Sequence, residues 1–332
     1  MKAAFIQETG PPSVIQVGDL PDPQPTGRQV LIRTAAVAVN PIDTYIRSGN
    51  VKLDLPPQFI IGCDIAGTVE AVGPEATQFQ PGDRVWGSNQ GLAGRPGTFS
   101  ELAAIDECWL YRTPDDVSHS DAAAASLVSI TAHLGLHLHG QLQSGEVVFV
   151  NGGTGGVGSA VVQLAKAAGA TMITTVGSDE KAATAQTIGA VSVINYRTED
   201  VPQAIAKCIQ QCGPINLWFE TLRTPDPEAT FPLLAKRGRY VLMAGRDARP
   251  EFPVGPFYVN DLRAIGFAMF NASADEQRVC AADINTLLST GQLKPLIGAT
   301  FPLDDAVASH ALQEANTLSG AGTLSGKIVL TV

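Results

Sequence analysis

Cysteine is scarce in this chain: five residues in 332, an odd number, scattered at Cys63, Cys108, Cys208, Cys212 and Cys280. Such a set makes no disulfide frame and suits reduced thiols in a cytoplasmic protein. Positive charge is scarce too. Against 22 Lys and Arg stand 32 Asp and Glu, a net charge of −10, and nucleic-acid binding needs a basic stripe that this balance does not offer. No run approaches the roughly 18 apolar residues of a membrane span. The opening MKAAFIQETG lacks the apolar core and small-residue cleavage site of a secretory signal, so none is expected. There is no internal repeat and no low-complexity segment. What remains is an ordinary globular balance, 45% hydrophobic and 16% charged, in a length that suits about two domains.

Two kinds of pattern divide that length. Residues 1–120 read as short strands separated by turns, among them Gln29–Val39, Ala66–Val72 and Arg84–Trp86, bounded by Pro-Thr-Gly, Gly-Pro and Pro-Gly-Asp. No helix-period segment is expected there before Ser120–Leu138. From Val147 the pattern becomes strand–helix alternation: VVFV, Ser159–Ala168, TMITTV, Lys181–Ile188, VSVI, Val201–Gln211, NLWFE, Ala229–Lys236 and RYVLMAG. Such alternation implies a parallel sheet with helices on both faces. Gly266–Phe270 is expected to be a last strand and Ala274–Thr290 a helix, and Lys327–Val332 returns as a strand to the first domain. The expected domains are therefore 1–122 with 271–332, β-rich, and 123–270, a doubly wound α/β domain.

The glycine cluster that joins VVFV to the next helix carries the most chemistry. In NGGTGGVG (Asn151–Gly158), Gly153, Gly155 and Gly158 fit G-x-G-x-x-G between a strand and a helix, the setting that gives the pattern meaning. Gly153 is expected to make the tight turn, Gly155 to admit a pyrophosphate, and Gly158 to let helix and sheet approach. The loop amides of Thr154, Gly156 and Val157, at a helix N-terminus, would face the phosphates. The pattern points to NAD(H) or NADP(H). NAD-selective domains carry an acidic residue at the end of the second strand. Here that strand is Thr171–Val176 and the next residue is Gly177, followed by Ser178 and, one helical step on, the cation Lys181. Tyr196 ends the following strand. The set favours NADP(H), although Asp179 and Glu180 lie in the same loop.

Five segments in order also carry a family resemblance: VNPIDTYIRSG (Val39–Gly49), GCDIAGTV (Gly62–Val69), PGDRV (Pro81–Val85), NGGTGGVG and VINYR (Val193–Arg197). Together they resemble the medium-chain dehydrogenase/reductase superfamily, and most closely its zinc-independent quinone oxidoreductase branch, which includes zeta-crystallin. The resemblance implies a GroES-like catalytic domain joined to a Rossmann domain, and reads Gly-Ser-x-x-Lys with Asn-Tyr-Arg as NADPH-selecting. At positions where zinc relatives carry ligands stand Asn40, Cys63 and Asp64, a poor set for the ion, so no metal is expected. His133 and His137 have an i, i+4 spacing but no third ligand.

By the same resemblance, Asn40, Asp43 and Tyr45 line the reaction centre, with Tyr45 the best hydrogen-bond donor. Pro41, Thr131, Thr221, Ala244, Gly245, Arg246 and the segment Phe267, Ala268, Met269 and Phe270 contact the cofactor. Arg47 reads as an ion-pairing residue, and Asn40 reads equally well as a turn residue before Pro41. The function implied is NADPH-dependent hydride transfer to quinones. The alternatives are reduction of activated C=C bonds in enals, enones or acyl-CoA thioesters, and a low-turnover cofactor-binding protein with a structural, redox-sensing or RNA-binding role. Partners are a small quinone or conjugated carbonyl and a second copy of the chain, since an apolar last strand invites a homodimer.

Overall fold

The eleven residues Gln29–Val39, apolar except at Gln29, Arg33 and Thr34, form the longest strand of the chain. In the computed structural model, which describes residues 1–332, this strand pairs antiparallel with Ile65–Val72, Leu102–Asp106 and Lys327–Thr331. It is the spine of a seven-stranded sheet. Ile32, Val37, Ile65, Val85, Phe99, Ile105, Ile328 and Leu330 are buried together around it. Burying such a side chain contributes about 1.5–3 kcal/mol. The chain divides into two compact units: residues 1–127, 273–290 and 295–332 form one, and residues 128–272 with 291–294 the other. The change of sequence pattern set these joints at 122/123 and 270/271.

One helix interrupts the strands of the first unit where the sequence suggested none. Pro41–Ser48 is helical because its entry is fixed: Asn40 is extended (φ −123°), Pro41 occupies the first turn, and the Asp43 carboxylate accepts the Asn40 N–H at 2.8 Å. Gly49, left-handed at φ +81°, stops it. Its buried face carries Asp43, Thr44, Ile46 and Arg47.

The second unit holds a six-stranded sheet in which every pairing is parallel. The order is Ser192–Asn195, Thr171–Val176, Val147–Val150, Ile215–Glu220, Leu234–Leu242 and Arg263–Gly266. Chain order therefore runs outward in both directions from Val147–Val150, which sets a topological switch point beside its carboxyl end. Helices Gly156–Ala167, Asp179–Ile188 and Val201–Cys212 alternate with these strands.

Two expected elements differ. Ala229–Lys236 is not a helix: Pro227–Thr230 and Phe231–Leu233 make short helical turns, and a strand starts at Leu234, which pairs with Ile215. Sheet pairing there overrides a moderate helix propensity. Gly266–Phe270 is not a strand either. The edge strand is Arg263–Gly266, ending where Gly266 pairs with Leu242, and Met269–Asn271 is a 3-10 turn with Met269 buried. The helix His119–His133 continues into a π-helical segment, Leu134–His139, closed by the Gly140 N–H on the Gly135 carbonyl at 2.9 Å. A side chain at Gly135 would strike Phe219 and Phe267.

Candidate functional site in the parallel-sheet unit and the buried polar cluster of the first unit

The glycine loop folds as a tight turn into a helix N-terminus, with its glycines in adjusted roles. The left-handed turn belongs to Gly152 (φ +66°), one residue before the position that the motif suggested. Gly153 is required because a side chain there would collide with Thr174, and Gly158 because one would collide with the Gly152 carbonyl. Gly158 thus lets the helix return against its own loop. Gly155 caps the helix Gly156–Ala167 (φ −74°, ψ 174°), and a Cβ added there would have one close neighbour, the Gly152 carbonyl at 3.2 Å. A methyl group would fill that concavity. The first amides of the helix have no partner within it and carry its positive dipole end, so the loop fits a pyrophosphate.

At the end of Thr171–Val176 the surroundings suit a further phosphate. A side chain on Gly177 would strike the Tyr196 hydroxyl, so the tyrosine ring end lies against this residue. Ser178 caps the helix Asp179–Ile188, its Oγ accepting the Lys181 N–H at 3.2 Å. Partial burial, then the neighbouring Arg197 guanidinium, push the Lys181 ammonium pKa below its ordinary value, while Glu180 opposes them. Arg197, exposed, was not among the sequence candidates, although its place in VINYR was the signal for it. Asp179, the acidic residue that could have reached a ribose, accepts the Asn195 amide at 2.9 Å.

Other candidates gather along the carboxyl ends of the same sheet. Thr221 donates its hydroxyl to the Asn151 carbonyl at 2.9 Å. Ala244 and Gly245 (φ +86°) follow Leu234–Leu242 and are half-buried, and Arg246 is exposed. Phe267 and Ala268 are half-buried, Met269 is buried and Phe270 exposed. Phe267 packs on His139 at 4.8 Å between ring centroids and edge-on to Phe219 at 6.4 Å. Thr131 and Thr154 are buried. Val157 is half-buried, like Gly156 beside it.

In the first unit, Asn40 and Asp43 sit in a buried cluster of charges. The Asn40 amide donates to Asp64 at 2.7 Å and to the Ala38 carbonyl at 3.3 Å, and its oxygen accepts from the Lys327 ammonium. Lys327 also donates to the Val39 carbonyl at 2.7 Å and pairs with Asp64 at 3.7 Å. Asp64 further accepts from Ser88 at 2.7 Å and from the Leu127 N–H at 3.1 Å. Burial raises the Asp43 carboxyl to about 7, with the Cys63 thiol and the Asn40 N–H opposing. One Asp43 oxygen has no partner. Both Asn40 amide hydrogens are therefore committed within the cluster. Pro41 and Tyr45 are half-buried on the same helix. Arg47 is buried and ion-paired with Glu314.

Asn40, Cys63 and Asp64 do not fit a zinc ion. The Lys327 ammonium already supplies the cation beside them, and burial, with Asp43 second, holds the Cys63 thiol well above its ordinary range and hence protonated. His133 and His137 pack with rings tilted by 52° at 4.5 Å between centroids, yet no three His, Cys, Asp or Glu side chains form a set that could hold a metal. No helix is long and apolar enough to cross a membrane.

Two family models match the chain: an alcohol dehydrogenase GroES-like domain over residues 26–115 and a zinc-binding dehydrogenase over residues 156–284. A human quinone oxidoreductase is 31% identical over 331 residues, covering 99% of this chain and 97% of its own. The chain belongs to the medium-chain dehydrogenase/reductase superfamily, in its quinone oxidoreductase branch. A mycobacterial protein solved in complex with NADPH superposes with a TM-score of 0.85 at 30% identity, with full coverage of both chains. A 2-haloacrylate reductase from a Burkholderia species is 27% identical over 321 residues, covering 93% of this chain and 94% of its own. The GroES-like and Rossmann architecture implied by the five sequence segments is the one these relatives carry, and an oxidoreductase is what the family makes of it.

Proposed function

We propose that this member of the superfamily is an NADPH-dependent, zinc-independent reductase of quinones. The observation that carries the cofactor choice is the pair of cations, Lys181 and Arg197, beside Gly177, where an NAD-selective domain would present a carboxylate. The loop Gly153–Gly158 holds the pyrophosphate, and Ser178, Lys181, Tyr196 and Arg197 hold the ribose phosphate. NADPH, when bound, supplies the hydride. Thr131, Thr221, Ala244–Arg246 and Phe267–Phe270 steady its nicotinamide half. Pro41 and Tyr45 belong to the reaction centre, where the Tyr45 hydroxyl donates to the acceptor oxygen as charge builds there. Asn40 and Asp43 act indirectly, since their bonds fix the start of the helix that carries Tyr45. The acceptor gains a hydride and then a proton from solvent.

Likeness to the human quinone oxidoreductase supports a quinone acceptor, and likeness to the 2-haloacrylate reductase favours a second reading, reduction of an activated C=C bond. Oxidation of NADPH followed with benzoquinone, naphthoquinones, enals and 2-haloacrylate decides between them. Turnover of the alkenes alone would replace the quinone reading with the second.

A homodimer belongs to the same proposal. The edge strand Arg263–Gly266 leaves one side of its backbone unpaired, and Phe252, Val254, Tyr258 and Val259 expose 48–68% of their surface on the segment before it. A second copy would cover both through a two-fold axis. Light scattering that gave the monomer mass of 34.7 kDa would reject it.

A further inference from the structure

Beneath the glycine loop, three strands end in a buried hydrogen-bond chain that the cofactor motif does not include. Asn151, between Val147–Val150 and the loop, donates its amide to both oxygens of Glu220, at 3.2 and 3.4 Å. Its own oxygen accepts the Thr175 hydroxyl at 3.1 Å. Thr175 Oγ1 in turn accepts the Gly152 N–H at 3.1 Å, and the Thr175 carbonyl accepts the Gly153 N–H at 3.1 Å. The left-handed turn that opens the cradle is thus tied through Thr175 to Asn151, and through Asn151 to Glu220.

Glu220 is 2% exposed. Besides Asn151 it receives the Leu222 N–H at 2.8 Å, the Trp218 indole N–H at 3.1 Å and the Tyr240 hydroxyl at 3.4 Å. The neighbours from its own strand end and from the loop at Asn151 are donors only, so the arrangement calls for the ionised carboxylate. Tyr240 is the titratable group facing it from the next strand, and burial, then Glu220 and Asp226, hold that phenol above its ordinary range. A buried anion is costly unless donors satisfy it. Here four do, and charge-assisted bonds of this kind are the strong ones. A protonated Glu220 would place a hydroxyl among donors and loosen its hold on Asn151.

We propose that Glu220 is a positioning residue for the dinucleotide site: its carboxylate orients Asn151 so that Thr175 holds the Gly152 turn ready for the pyrophosphate. This rests on the dinucleotide reading above. Because the pyrophosphate is common to both nicotinamide cofactors, the effect is blind to the ribose phosphate. It also depends on pH, since burial raises the Glu220 pKa above its ordinary value.

The test is titration of the full-length protein with NADP+ and NAD+ at neutral pH, and with NAD+ from pH 8 to pH 5. NAD+ lacks the ribose phosphate whose own titration would intrude, and it survives acid. Glu220→Gln is expected to weaken both cofactors by the same factor, about ten-fold, and to flatten a fall in affinity that the unsubstituted protein shows towards pH 5. Thr175→Val keeps the side-chain shape, removes the connecting hydroxyl and is expected to do likewise, so the proposal stays testable if Glu220→Gln fails to fold. Undiminished affinity and an unchanged pH profile in Thr175→Val would overturn the positioning role while leaving the dinucleotide reading intact. An unsubstituted protein that binds neither cofactor would overturn both.

Discussion

Removing the Lys181 cation tests the proposed recognition of the ribose phosphate. A charged hydrogen bond contributes about 1.5–3 kcal/mol when well formed. Lys181 is only partly buried, and solvent screens part of that interaction. Arg197 remains beside it and takes up some of the phosphate charge. For Lys181→Ala we therefore expect a loss of about 1–2 kcal/mol in NADPH binding, roughly 5- to 30-fold in Kd. The double variant Lys181→Ala/Arg197→Ala should lose more than the sum of the two single losses, because in each single variant the remaining cation covers part of the deficit. NADH lacks the phosphate, and its Kd should stay within about two-fold. The assay is a fluorescence titration of the four proteins with both cofactors at one stated ionic strength. Equal weakening of NADPH and NADH would refute the reasoning and make Lys181 a support of its helix.

Tyr45→Phe preserves the ring and removes the donor, so kcat with quinone should fall by about 1–2 kcal/mol of barrier while NADPH affinity holds; an unchanged kcat would exclude Tyr45 from the reaction centre. Lys327→Met strips the cation from Asp64 and Asn40 inside the first unit, and breaking such a pair costs about 3–5 kcal/mol, readable as an earlier urea midpoint; a midpoint equal to the unsubstituted protein's would show that the cluster does not need its charge. His310 is buried without a partner on either nitrogen, and burial, aided by Arg47, lowers its pKa to about 3. The unfolded chain takes up this proton near pH 6.5 and the folded one does not, so stability should fall with acidification between those values, by up to about 1.4 kcal/mol per pH unit. Asp43, raised to about 7, works in the opposite sense: its folded form takes up a proton below pH 7 that the unfolded carboxyl releases until about 4. In the native protein the two slopes oppose. His310→Phe should therefore become more stable from pH 7 to pH 4.5 than it is at pH 7.5, and a melting series that declines as steeply as the parent's would contradict this.

What the sequence made legible followed from chain-local chemistry. The glycine loop, the second-strand end and the alternation of strands and helices each depend on neighbours within a few residues, and they stand in the fold nearly as read. The eight-residue helix after Asn40 was hidden because Asn-Pro reads as a turn, while its helicity depends on Asp43 reaching back to the Asn40 N–H. The strand at Leu234 was hidden because its partner Ile215 lies in another element. Glu220 and Lys327 left no local signal either. Asn151 lies 69 residues from Glu220, and Asn40 lies 287 from Lys327, and only the folded chain brings these pairs together. The placement of Asn40 and Asp43 in a closed cluster likewise depended on Lys327 arriving from the far end.

That arrival sets an order for biosynthesis. The parallel-sheet unit is nearly contiguous, with only residues 291–294 added to 128–272, and its six strands have all left the ribosome while the chain is still being extended. The β-rich unit is begun first and completed last. Until Lys327–Thr331 is made, the Ala36–Val39 end of the strand Gln29–Val39 keeps a bare hydrogen-bonding edge, and Asp64 has no ammonium beside it. Closing a loop of that length costs little more than closing a shorter one, so the late pairing takes little from the stability of the finished sheet. During that interval the half-built sheet is the part of the nascent chain most open to mispairing and most in need of a chaperone's cover.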